Sequence, residues 1–198
     1  MSSRTLAAVH DTASTTPQLG LWIYLLSDLM IFGALFATYM ILRHSTAGGP
    51  DGAALFEPGN VLLQTIALLA SSFTVAMAQL ALRHRRMKDF WQFVIATIGF
   101  GVIFLGLEIM EFVTLVHEGH TWQQSAFLSS FFALVGTHGL HITVGLIWLF
   151  ALVYYYRTRG TSANFVRKFG LFTLFWHFLD IVWIWIFTIV YMFSISGA

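Results

Sequence analysis

Five stretches of this chain stay apolar for longer than the core helix of a water-soluble domain needs, and they dictate what it can fold into. They cover residues 21–42, 61–82, 90–116, 125–156 and 169–193, with lengths of 22, 22, 27, 32 and 25 residues. About 20 such residues in a helix cross a hydrocarbon layer ~30 Å thick. No alternation of polar and apolar residues runs through them, so a membrane barrel is not supported. Inside lipid every backbone N–H and C=O must be satisfied by the protein itself, which leaves a helical bundle. The expected fold is all-α: a polytopic membrane protein with a tail over 1–20 and one five-helix transmembrane domain over 21–198. Of the 198 residues, 58% are hydrophobic and 10% charged. A soluble domain carries about 25% charged residues.

The first run is longer than the core of a cleaved signal, and no small-residue cleavage site follows it. The tail before it, MSSRTLAAVHDTASTTPQ, reads as short and mobile, with Pro17 suited to the first turn of a helix. Nine of the ten Lys and Arg residues fall on one side: Arg4, Arg83, Arg85, Arg86, Lys88, Arg157, Arg159, Arg167 and Lys168, against Arg43 alone. The positive-inside rule then places the N-terminus and both basic turns in the cytoplasm. Loops 43–60 and 117–124 and the C-terminus face out. The loop RHSTAGGPDGAALFEPGN reads as a compact surface turn. Arg83, Arg85, Arg86, Arg157 and Arg159 are candidate contacts for anionic lipid headgroups. A net charge of +1 offers no basic face to nucleic acid, and 0 Cys excludes disulfides, thiolate zinc, iron–sulfur clusters and cysteine-ligated copper. The segments outside the runs are too short for an NTPase, a kinase or a receptor domain.

Chemistry concentrates where polar residues are expensive. Asp28, Glu108, Glu111 and Asp180 lie inside the runs, with His138, His141 and His177, and no Lys or Arg accompanies them. A charged Asp at the centre of a membrane helix costs about 2.5–3.5 kcal/mol on insertion scales. Such groups need a partner, water or a proton, and this chain can offer histidines and hydroxyls. Glu108 and Glu111, His138 and His141, and His177 and Asp180 are each three residues apart, so each pair shares one helix face. Three readings follow: a polar network that fixes helix register, proton handling by acids and histidines, or metal or haem ligation. The pairs fit a di-iron bundle poorly, because that site takes Glu-x-x-His on one helix. His117, Glu118 and His120 in VHEGHTW read as a solvated turn with metal binding as the alternative. Trp176, Trp183 and Trp185 read as packing or lipid anchors. A small transporter would usually show broken helices or an inverted repeat, and neither is found.

At these same positions the sequence resembles a known family. FFALVGTHGLHITVGLIWL and LFWHFLDIVWIWIFTIVY are similar to the two strongest signatures of subunit III of the haem–copper terminal oxidases. LGLEIMEF resembles the acidic motif on the preceding helix. LWIYLLSDLMIFGALFATY resembles the segment with the family's membrane carboxylate, which falls on Asp28; many members carry Glu there. The likeness covers Leu21 to Tyr191. Seven-helix members have two further helices at the start, whereas the five-helix form here is that of the bacterial quinol-oxidase branch, with SDLMIFGALFATYMIL, TAGGP and QSAFLSSFFALVGTHGLH close to it. The resemblance implies a non-catalytic subunit of an inner-membrane, proton-pumping oxidase. Its partners would be subunits I, II and IV and phospholipids. Haems and copper would sit in subunit I, with no cofactor or metal in this chain. A stand-alone membrane metalloenzyme using the Glu and His pairs, and a subunit III of a cytochrome c oxidase, are the alternatives.

Overall fold

The structure is a computed structural model that describes residues 3–48 and 58–196. Among these residues all regular structure is helical: α1 (Ser3–Leu42), α2 (Pro58–Arg83), α3 (Met87–His117), α4 (Ala126–Arg159) and α5 (Ala163–Ile186). Beyond α5 the chain makes one π-helical turn, Phe187–Met192, and a last α-helical turn, α6 (Phe193–Ser196). Five segments are long and apolar enough to cross a membrane: Thr16–Leu42, Pro58–Arg83, Met87–His117, Ala126–Arg159 and Ala163–Met192.

The helices outrun the apolar stretches where polar residues can stay helical. Thus α5 begins at Ala163, six residues before the apolar run, because Ser162 caps it by accepting from the Phe165 amide at 3.2 Å. Ser125 caps α4 in the same way through the Leu128 amide. The largest departure is at the N-terminus. A helix start at Pro17 is what the sequence suggests, but α1 runs unbroken from Ser3 with Pro17 inside it. The segment before Pro17 includes Leu6, Ala7, Ala8 and Ala13, which favour helix, while a proline inside a helix removes one backbone donor and crowds the carbonyl four residues back. Half of the expected compact turn over 43–60, residues 49–57, lies outside the described residues.

Helices α2 and α3 form a hairpin closed by a tight turn in which Arg85 adopts φ 57°, the left-handed conformation that ends many helices. Helix α5 packs against α1, α2 and α4 and so supplies the spine of the bundle. Its Trp176 and Trp183 are completely buried. Each indole reaches a hydroxyl on α2: Trp176 Nε1 donates to Ser71 Oγ at 3.0 Å and Trp183 Nε1 to Thr65 Oγ1 at 3.1 Å. Trp185, on the opposite side of α5, faces outward. Small residues make room for these rings. Gly101 on α3 and Gly145 on α4 both face Trp176, so close that a methyl group on Gly145 would lie 2.8 Å from its Cζ3. The outward surfaces carry Leu, Ile, Met and Phe, as lipid requires.

Candidate functional site

The ionisable residues inside the helices do not form one continuous chain; they occupy four seams. At the first, Asp28 of α1 is buried and its Oδ2 lies 3.4 Å from His141 Nε2 on α4. The other ring nitrogen, Nδ1, is 2.7 Å from the Thr137 carbonyl oxygen. A carbonyl only accepts, so Nδ1 carries a hydrogen and Nε2 is the atom that confronts the carboxyl. In a neutral imidazole that atom is a lone pair. The 3.4 Å approach brings the two side chains together across the α1–α4 seam without a formed hydrogen bond at Oδ2. The apolar run around Asp28 holds no histidine, which is why only the fold reveals this partner.

The second seam joins α3, α2 and the π turn. Glu111 Oε2 accepts from Gln64 Nε2 at 2.9 Å, and Tyr191 Oη donates to Glu111 Oε1 at 3.2 Å. The π turn contains Tyr191. It is fastened in turn by Tyr39 of α1, whose hydroxyl donates to the Val190 carbonyl at 3.3 Å and lies 3.0 Å from Ser194 Oγ. A cavity of about 310 Å³ opens beside Glu111 and is lined also by Asn60, Thr114 and Glu118.

At the third seam, between α2 and α5, Ser72 Oγ lies 2.7 Å from His177 Nδ1. Asp180, one turn along, is half-buried, and its Oδ1 has no hydrogen-bond partner. The fourth place is driest. Glu108 of α3 is buried with both oxygens unpartnered. Its carboxyl rests on Gly139 of α4, where a Cβ would stand against Oε1 closer than any real contact allows. His138, the neighbour of Gly139, is fully buried with neither ring nitrogen bonded. Phe32, Phe104 and Trp183 surround its ring.

This distribution bears on ligation. The five residues that a metalloenzyme would need, Glu108, Glu111, His138, His141 and His177, are spread over all four seams, and three of them are engaged by Gln64, Thr137 or Ser72. Among the described residues no three His, Asp or Glu side chains converge as a metal site. In the outer turn His120 Nδ1 lies 3.2 Å from Gln124 Oε1. Of the five candidate arginines, Arg83 and Arg85 line a cavity of about 710 Å³ with Thr161 and Ser162. Arg86 lies 3.9 Å from Asp89, and Arg157 and Arg159 occupy the last turn of α4. The residues that the sequence did not single out are the neutral partners Gln64, Ser71, Ser72, Tyr39 and Tyr191. Their only signal is polarity within an otherwise apolar run.

The fold and its seams define a helical membrane protein in which buried polar side chains join neighbouring helices. Comparison with known proteins places it. The family profile described as cytochrome c oxidase subunit III matches residues 2–195. The chain is 45% identical over 183 residues to the cytochrome bo(3) ubiquinol oxidase subunit 3 of Pseudomonas aeruginosa, covering 92% of this chain and 87% of that protein. It is 42% identical over 179 residues to the quinol oxidase subunit 3 of Bacillus subtilis, covering 90% and 88%. It is 41% identical over 179 residues to the cytochrome c oxidase subunit 3 of Bacillus sp. strain PS3, covering 90% and 86%. The chain therefore belongs to the subunit III family of the haem–copper quinol and cytochrome c oxidases.

Proposed function

We propose that this chain is the non-catalytic subunit III of a bacterial, proton-pumping quinol oxidase, with ubiquinol as the electron donor. Subunit I of that complex would hold the haems and copper and reduce O2 to water, with subunits II and IV as further companions. The N-terminus and the two basic turns would face the cytoplasm, as their Lys and Arg content favours. The observation that carries the reading is near full-length similarity to quinol oxidase subunits.

This chain's own work is mechanical and electrostatic. Asp28–His141 ties α1 to α4, and Glu111 ties α3 to α2 and the π turn. Ser72–His177 ties α2 to α5. The arrangement holds a fixed surface against subunit I. Arg83 and Arg85 would receive a phospholipid headgroup in the cavity they line. Asp28 is the residue proposed to support proton uptake, because its contact with His141 accommodates one transferable proton.

The test is oxygen uptake by the purified complex with and without this chain, driven first by ubiquinol and then by reduced cytochrome c. Ubiquinol-driven turnover that decays faster without the chain is the expected result. Turnover with cytochrome c alone would favour the second reading, a cytochrome c oxidase subunit, for which the Bacillus sp. PS3 relative speaks. Asp28→Asn keeps the shape of the side chain but cannot carry the acidic proton. An unchanged initial rate and an unchanged decay in this variant would remove Asp28 from proton uptake.

A further inference from the structure

We infer that α5, with its flanking helices α1 and α2, forms the face that docks onto a neighbouring transmembrane subunit, and that this neighbour offers a hydrogen-bonding side chain to His177. The inference rests on the reading of the chain as a subunit of an oxidase complex. His177 sits near the middle of the Ala163–Met192 span. Its Nδ1 is taken by Ser72, while Nε2 makes no hydrogen bond to any described residue. The ring is not enclosed. It lines an open groove of about 350 Å³ between α2 and α5, together with Gln79, Thr173 and, at the basic end, Arg83. Half-buried Asp180 continues the same polar strip.

Lipid tails are a poor cover for this groove. A hydrocarbon chain cannot bond to an imidazole nitrogen, and headgroups lie at the ends of the span rather than at its middle. The outward face of α4 shows what lipid cover looks like: Leu140, Val144, Ile147 and Phe150 are exposed on it, and Thr143, partly exposed beside them, spends its hydroxyl on the Gly139 carbonyl of its own helix at 2.9 Å. On the other flank of α5, against α1, lies a second groove of about 240 Å³ walled by Phe32, Phe36, Phe178 and Trp185. A polar groove and an apolar groove on either side of one ridge suit packed protein helices. One neighbouring helix would bring a polar group to His177, and apolar side chains would fill the second groove.

The experiment uses the whole detergent-purified oxidase with a photo-crosslinking amino acid placed singly at Leu174 or Ile181 on α5, or at Leu140 or Ile147 on α4. Crosslinks from the α5 positions to the haem-bearing subunit, with lipid adducts alone from α4, are expected. Crosslinks to that subunit from α4 and none from α5, or lipid adducts alone from all four positions, would overturn the assignment of the face while leaving the subunit reading intact. A chain that purifies free of any haem-bearing polypeptide would overturn both. A second measurement isolates His177. Retention of this chain in the complex through a detergent wash should fall several-fold in His177→Leu, recover in part in His177→Gln, and stay unchanged in Ser72→Ala, which removes only the internal bond. Equal losses in His177→Leu and Ser72→Ala would refute a partner at Nε2.

Discussion

Replacing Gly145 by alanine should destabilise the bundle, although alanine is the better helix former. The added methyl would stand 2.8 Å from Trp176 Cζ3, 3.1 Å from Cε3 and 3.2 Å from Phe175 Cε1. Ordinary contact begins at 3.4 Å, so α4 and the indole must separate by roughly 0.6 Å. The ring has nowhere to go. It is wholly buried, Gly101 of α3 lies against its Cζ2 and Cη2 edge, and its Nε1 is held by Ser71. Overpacking of this kind costs about 1–3 kcal/mol. A shift that broke the Trp176–Ser71 bond would add about 0.6 kcal/mol, the mean for interhelical bonds in a membrane. The gain in helix propensity returns up to about 1 kcal/mol, leaving a net loss of roughly 1–2 kcal/mol. Gly106→Ala is the matched control, since no atom lies within 4 Å of the place its Cβ would take and only the propensity gain applies. The two variants should differ by about 2–3 kcal/mol, roughly thirtyfold or more in the unfolding equilibrium. Equilibrium unfolding in mixed micelles, followed by tryptophan fluorescence, measures the gap. Equal stability of the two variants would refute the claim that α4 is locked against a rigid indole.

Three further outcomes can be checked in the same assay. Glu108→Leu should leave stability unchanged or raise it, because it removes two buried oxygens that have no partner; a loss above about 1 kcal/mol would mean that the carboxyl is bonded after all. Trp183→Phe should cost about 1–3 kcal/mol, combining the lost bond to Thr65 with the space the smaller ring leaves. Tyr39→Phe should cost about 0.6 kcal/mol and speed backbone amide exchange in the π turn that its hydroxyl fastens, with little change in α3.

What can be read from the sequence divides along a physical line. Length and apolarity are properties of a segment alone, and all five runs are long helices in the structure. Capping extends α5 back to Ala163, and that depends on Ser162, which lies outside any apolar run. The site divides in the same way. Insertion cost alone marks Asp28, Glu108, Glu111, His138, His141, His177 and Asp180 as residues requiring an explanation. Which partner answers each need is a matter of how helices far apart in sequence come together, and no periodicity encodes that. Asp28 meets His141 across 113 positions, and Glu111 meets Tyr191, which lies in the π turn, across 80. Neutral partners stay hidden for a further reason. A serine hydroxyl can bond back to its own helix, so Ser72 carries little energetic signal until His177 lies against it, and the amide of Gln64, though costly to bury alone, does not say that Glu111 is its partner. Insertion cost thus reveals the charged half of each contact, and only packing reveals the other. His177 Nε2 extends that logic beyond this chain, because its unmet bond calls for a partner on another polypeptide.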